Sequence, residues 1–194
     1  LNQKIGNFPG VTVERKVGFC RLPDNRLARI IDLPGTYSLY PKSRDERIVM
    51  DTLIHSDNPE YPDLIVFVAD ATNLKRNLLL FSQIADLRIP MILALNMMDM
   101  AKQSDIAIDI DGLARKLGVQ VVPISARKSE GIEELKLAVS HSSSIALQHP
   151  SIDIPALVPG LVEKIQAELK ISHPYIALQF AHQHDQLSFL SEEE

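Results

Sequence analysis

Met91-Ile92-Leu93-Ala94-Leu95-Asn96-Met97-Met98-Asp99 is the stretch that decides the fold class. Five apolar residues in succession mark a strand buried on both faces, the condition of a parallel strand covered by helices. The run stops at Asn96, and a carboxylate follows three residues later. Working outward, Leu64 to Ala69 is a second continuous apolar run and Val119 to Ile124 a third. Between the first two, Asn73 is expected to cap a helix with a stripe of Leu74, Leu78, Phe81, Ile84 and Ala85, and Pro90 lies beyond its end. A helix near Gly112 to Leu117, ended by Gly118, and another over Ile132 to Ser140 complete the alternation. Strands alternating with helices in this way predict an α/β fold with a mostly parallel sheet and right-handed crossovers.

Upstream, alternation through Val11, Val13, Val17 and Phe19 predicts a strand, and Pro23-Asp24-Asn25 is a turn signal before Leu27 to Ile31 returns as its hairpin partner. Pro34-Gly35 then forces a sharp turn, and helical spacing runs from about Arg44 to Ile54. Downstream, His149 to Pro159 carries three prolines and reads as a linker. Leu161, Ile165 and Leu169, then Ile176, Leu178, Phe180 and Leu187, have helical spacing, with Pro174 in the first turn of the second helix. The expected organisation is a domain over residues 1–148 and a linker with a small helical subdomain over 149–194.

Of the 194 residues, 45% are hydrophobic and 23% charged, which is ordinary for a globular domain and excludes a disordered, collagenous or coiled-coil chain. A net charge of -5 with dispersed Lys and Arg argues against a nucleic-acid surface. The single cysteine, Cys20, cannot form an intramolecular disulfide, as suits a reducing compartment. The apolar runs fall short of the roughly 20 residues a bilayer span needs. The chain begins at Leu1 rather than Met, from which a fragment or a processed end is expected.

Four short motifs follow one another at the polar ends of these elements: Gly10-Val11-Thr12, Asp32-Leu33-Pro34-Gly35, Asn96-Met97-Met98-Asp99 and Ser125-Ala126-Arg127. Each alone recurs as a plain turn. In this order they supply what a guanine-nucleotide pocket requires: a hydroxyl for Mg²⁺, a carboxylate and glycine at the γ-phosphate, a base-reading carboxylate and a loop of backbone donors. Asp99 can accept from both N1–H and the 2-amino group of guanine, a donor pair that adenine lacks. Met97 stands where most GTPases have lysine, and it can cover a purine face without bringing charge. Thr36 stands where many place a water-orienting glutamine, so slow intrinsic hydrolysis is expected. No G-x-x-x-x-G-K-[ST] phosphate loop occurs in the 194 residues. The clusters Glu133-Glu134 and Glu192 to Glu194, and His182-Gln183-His184-Asp185, read as solvated surface rather than metal ligands. A generic Rossmann-like enzyme would need a glycine fingerprint in its first strand-helix turn, and none is present.

Gly6-Asn7-Phe8-Pro9-Gly10-Val11-Thr12-Val13-Glu14, Asp32-Leu33-Pro34-Gly35-Thr36-Tyr37-Ser38-Leu39 and Ala94-Leu95-Asn96-Met97-Met98-Asp99 closely resemble the cytoplasmic G domain of the FeoB family of bacterial ferrous-iron transport proteins. Asp70-Ala71-Thr72-Asn73-Leu74 and Arg76-Asn77-Leu78 fit the same pattern, and the resemblance extends to about residue 148. It implies a Ras-like P-loop NTPase G domain, lacking here its first strand, phosphate loop and first helix, followed by the family's helical subdomain. Carried over, Gly10 to Glu14 contact nucleotide with Thr12 on Mg²⁺, and Asp32 to Gly35 form the γ-phosphate turn with Asp32 also serving the metal. Asn96 and Asp99 read the base, with Met97 and Met98 nucleotide-binding in the same run, and Ser125, Ala126 and Arg127 form the second guanine loop. The family's potassium-binding asparagine and phosphate loop would lie upstream of Leu1. The resemblance implies GTP and GDP as ligands, Mg²⁺ and K⁺ as cofactors, and a membrane-embedded iron channel in the same polypeptide. It also implies a place at the cytoplasmic face of the bacterial inner membrane for a parent protein of which this piece is soluble; self-association is compatible with it. The reading that competes is a degenerate, non-catalytic G-like module that docks partners.

Overall fold

The computed structural model describes residues 16–36, 38–39, 44–54, 58–142, 160–169 and 174–183. Within them, β1 (Lys16–Arg21) and β2 (Leu27–Asp32) form an antiparallel hairpin in which Val17 faces Ile31 and Phe19 faces Arg29. Its turn is closed by Asn25 in the left-handed region, at φ 68°, and by the Asp24 carboxylate, which takes the Arg26 guanidinium at 2.6 Å. The expected positions Val11 and Val13 lie outside the described residues. After the hairpin come α1 (Arg44–Ile54), β3 (Ile65–Asp70), a 3₁₀ turn (Ala71–Asn73) and α2 (Leu74–Ala85). The remainder runs β4 (Met91–Asn96), α3 (Met98–Gln103), α4 (Ile110–Leu117), β5 (Gln120–Pro123), α5 (Ile132–His141), α6 (Leu161–Leu169) and α7 (Pro174–Gln183).

β3, β4 and β5 make a parallel sheet with β4 in the middle. Met91 to Leu95 have no exposed surface at all, as their unbroken apolar run requires. One face, through Phe67, Ala69, Leu93 and Leu95, packs into a core shared with Val49 and Leu53 of α1 and with Leu80, Phe81 and Ile84 of α2. Phe67 and Phe81 meet edge to face at 5.5 Å, a geometry worth about 0.5–1.5 kcal/mol beyond burial. The opposite face, through Ile92, Ala94 and Val122, is covered by Ala138 of α5, with Ile132, Leu135 and Val139 alongside. Val162, Tyr175, Ile176 and Ala177 of α6 and α7 are buried in the same apolar cluster as the α1–α2 side of the sheet.

Two expectations need correction. Asn73 makes no side-chain cap. Asp70, at the end of β3, takes that role one turn earlier by accepting from the Thr72 backbone N–H and hydroxyl at 2.8 and 2.7 Å. A side-chain acceptor at the strand end takes up the free N–H groups, so the chain is already turning in 3₁₀ form when it reaches Asn73. The short helix α3, directly after Asn96, has no counterpart in the sequence reading.

The strands also fall into two sheets, because β2 and β3 do not pair with each other among the described residues. Register places Val66 opposite Ile92 and Val68 opposite Ala94, on the α5 side of the sheet. There Val66 is 38% and Val68 58% exposed, so α5 covers β4 and β5 but leaves β3 bare on that face. The hairpin reaches α5 through Arg26, whose guanidinium donates to the Ser140 carbonyl in the last helical turn.

Candidate guanine-nucleotide site

The expected base-reading half lies where β4 and β5 end. Asn96 is the last residue of β4, and Met97 follows in the left-handed region at φ 63°, a conformation that swings the chain into α3. Asp99 is thereby placed in the first turn of that helix, only 8% exposed. Two bonds tie this loop to the one after β5. The Asn96 Oδ1 accepts from the Ala126 backbone N–H at 3.0 Å, and the Met98 N–H donates to the Ile124 carbonyl at 3.2 Å.

The second loop is itself closed by a bridge between Ser125 and Glu130, with Ser129 at φ 57° inside the turn. Gly131, at φ 75°, follows so closely under the strand that a Cβ there would meet the Pro123 carbonyl oxygen at 2.3 Å. Glycine is required at that position on both counts.

Burial pushes the Asp99 carboxyl up, yet the Ser125 hydroxyl, the backbone N–H groups of Asp99 and Met100 and the Lys128 charge outweigh it. The pKa therefore lies below the ordinary 3.8. The Ser125 Oγ is buried and has no partner at full hydrogen-bonding geometry. Its effect on Asp99 is thus that of a nearby dipole rather than of a formed bond. The site holds an ionised, nearly buried acceptor beside an unsatisfied hydroxyl and a loop of backbone donors. That set suits a planar ligand presenting adjacent N–H groups and a carbonyl.

The other half is separate. Asp32 ends β2 with its side chain exposed, Pro34 is buried and Gly35 is exposed. A Cβ built on Gly35 meets nothing within 4 Å, so that backbone borders open space. The Thr36 hydroxyl is engaged locally: it donates to the Ser38 carbonyl at 2.7 Å and lies 3.4 Å from the Glu46 carboxylate. The Leu39 N–H donates to Gln83 Oε1 of α2 at 3.0 Å. No hydrogen bond joins Asp32–Gly35 to either expected guanine loop among the described residues. Gly10, Val11, Thr12, Val13 and Glu14 lie outside them. Asn96, Met97, Met98, Asp99, Ser125, Ala126 and Arg127 are brought together, and the sequence reading missed Lys128 and Gln83. Lys128 adjoins a quoted motif and carries a charge, which was a usable signal; Gln83, 44 residues from Leu39, left none.

The family described as ferrous iron transport protein B matches residues 1–139. The chain is 45% identical over 141 residues to the Fe(2+) transporter FeoB of Escherichia coli K12, covering 71% of this chain and 18% of that protein. It thus spans about a fifth of the length of the curated relatives it matches. Among solved structures, the FeoB G-domain from Methanococcus jannaschii is 46% identical with a TM-score of 0.62, covering 67% of this chain and 80% of that one. The cytosolic domain of the T. maritima FeoB iron transporter in its GMPPNP form is 32% identical with a TM-score of 0.73, covering 98% of this chain and 79% of that one. The chain belongs to the FeoB family and carries its N-terminal G domain, an α/β domain of Ras-like P-loop GTPase fold.

Proposed function

We propose that this chain is the larger part of a GTP-binding and GTP-hydrolysing domain that regulates a ferrous-iron transporter, and that the parent polypeptide adds a strand, phosphate loop and helix upstream and an iron channel downstream. The observation that carries the nucleotide reading is the bond from Ala126 to Asn96 Oδ1, which fixes both guanine loops around the ionised Asp99. The upstream addition is supported by the edges of β2 and β3, which pair with no further strand among the described residues, and by the bare Val66 and Val68. Residues 1–148 then form the G domain, and 149–194 a linker and helical subdomain at the cytoplasmic face of the membrane. No helix among the described residues is long and apolar enough to cross that membrane.

Asp99 accepts from the two guanine donors, Met97 and Met98 flank the base, and Ser125, Ala126 and Arg127 offer donors to its carbonyl. Gly10 to Glu14 and Asp32 to Gly35 border the phosphates. Thr12 and Asp32 would hold Mg²⁺, a hydroxyl and a carboxylate being the hard oxygen donors such an ion takes. When bound, the ion neutralises charge on the β- and γ-phosphate oxygens. K⁺ is a second cofactor by family likeness alone. Because the Thr36 hydroxyl already serves Ser38 and Glu46, it is poorly placed to orient water, and hydrolysis relies on backbone donors and cations.

The test is Asp99→Asn in a chain extended by the upstream phosphate loop. An amide N–H₂ then faces a guanine donor, a mismatch of about 1–3 kcal/mol, so GTP affinity falls at least about tenfold. Xanthine presents a carbonyl in place of the 2-amino group, so XTP affinity rises. Titration showing XTP unchanged would place the base elsewhere.

A further inference from the structure

We infer that Gln83 is a positioning residue for the γ-phosphate turn. Its Oε1 accepts the Leu39 backbone N–H at 3.0 Å, across a sequence distance of 44 residues. Leu39 is 2% exposed and its side chain lies in the main apolar core, so side chain and backbone are fixed together at one point. Four residues upstream, Gly35 is exposed and borders open space. The segment is therefore pinned at Leu39 and exposed at Gly35, the end that the proposed reading brings to phosphate.

Between them the chain has a second hold. The Thr36 hydroxyl donates to the Ser38 carbonyl, accepts from the Ser38 N–H at 3.3 Å and lies near Glu46 of α1. This compact turn bounds the swing available to Gly35. Any approach of the Gly35 N–H to a terminal phosphate is then a rotation about a pivot that α2 supplies. Gln83 is half-buried and α2 is fixed in the core by Leu80, Phe81 and Ile84, so the acceptor cannot follow a sliding Leu39. Touching neither nucleotide nor metal, Gln83 acts only through the backbone it holds.

This inference rests on the reading of Asp32–Gly35 as the γ-phosphate turn. The test uses the chain with its upstream strand and phosphate loop, and compares Gln83→Leu with Gln83→Glu. Leucine removes the acceptor, whereas glutamate keeps a carboxylate oxygen for the same N–H. Amide exchange at Leu39 should speed up in Q83L and stay near the parent rate in Q83E. Loss of one hydrogen bond in the pivot should lower kcat for GTP at least about threefold in Q83L, with GDP affinity held within about twofold, and Q83E should restore kcat.

Faster exchange at Leu39 with unchanged kcat overturns the positioning role. Equal losses of GDP affinity and kcat also overturn it, since that is the mark of general destabilisation. Asp99→Asn run alongside separates the two claims: if it leaves GTP preference intact, the pocket reading fails and this inference falls with it. If GTP preference is lost in D99N while Q83L behaves as the parent, only the pivot is refuted.

Discussion

Val68 offers a test of the proposed upstream strand and helix that needs no nucleotide. It is 58% exposed and its neighbour Val66 38% exposed, together about one whole valine left in water on a face that α5 covers elsewhere. Covering them returns about 1.5–3 kcal/mol. A strand laid between β2 and β3 would also pair two six-residue strands along edges that no described strand occupies, adding several hydrogen bonds at about 0.5–1.5 kcal/mol net each. The gain is on the order of 5 kcal/mol before the entropy of ordering the added residues, comparable to the whole stability of a small domain. The single substitution Val68→Asn makes this specific. In the 1–194 chain it changes an exposed side chain, and urea unfolding should shift by no more than about 0.5 kcal/mol. In a chain carrying the upstream strand, phosphate loop and helix of a FeoB relative, it buries an amide without a partner and should cost at least about 2 kcal/mol. Equal costs in both chains, or no stability gain from the extension, would refute the reasoning.

Four further outcomes follow from the site. Gly35→Ala should leave the melting temperature unchanged, because the new Cβ meets nothing within 4 Å, yet weaken binding of a GTP analogue relative to GDP in the extended chain; equal weakening of both would move the γ-phosphate elsewhere. Gly131→Ala should destabilise far more than Gly118→Ala: both have positive φ, but only at Gly131 does a Cβ reach a backbone carbonyl, at 2.3 Å, so chemical melts should separate them by at least about 1 kcal/mol. The Asp99 carboxyl is depressed in the folded state, so its contribution to stability is present above the ordinary 3.8 and is lost as pH falls through the lower folded value; a carboxyl-carbon NMR titration should find the midpoint below 3.8, and Lys128→Ala should raise it. Thr12→Ala in the extended chain should impair hydrolysis more than GDP binding, since GDP lacks the phosphate that draws this segment inward; parallel losses would remove Thr12 from the metal site.

Much of the fold was legible because β4 is apolar without interruption, and an unbroken run can be satisfied only by burial on both sides. The hairpin was legible through Asp24, whose carboxylate accepts from the Arg26 N–H, and Asn25, which takes the left-handed backbone conformation the turn needs. Helix starts were harder. At Asp70 and Asn73 two capping residues compete within one turn, and the sequence does not say which N–H groups are reached first. The six-residue α3 is too short for periodicity to register, and it depends on a left-handed residue, Met97, whose type gives no hint of positive φ. In the candidate site, Asn96 and Ser125 were visible because each sits where a strand runs out, and Asp99 because it stands three residues beyond Asn96. Gln83 was not, because a glutamine on a helix face carries no pattern, and its partner is a backbone group that every residue has.

The bond between Asn96 and Ala126 bears on the kinetics of the base site. A loop that must order around its ligand charges that ordering against each binding event, and association slows when the loop is open. Here the loops after β4 and β5 are joined by bonds of the protein's own, so a base at the proposed site would meet a surface that the chain itself holds together. Guanine capture should then be fast and nearly the same for GDP and GTP, and the two nucleotides should differ chiefly in how long they stay. Residence time would be set by the proposed phosphate-bordering turn, which no hydrogen bond among the described residues joins to the base loops, so the domain can keep one entrance and change only the lifetime of what has entered.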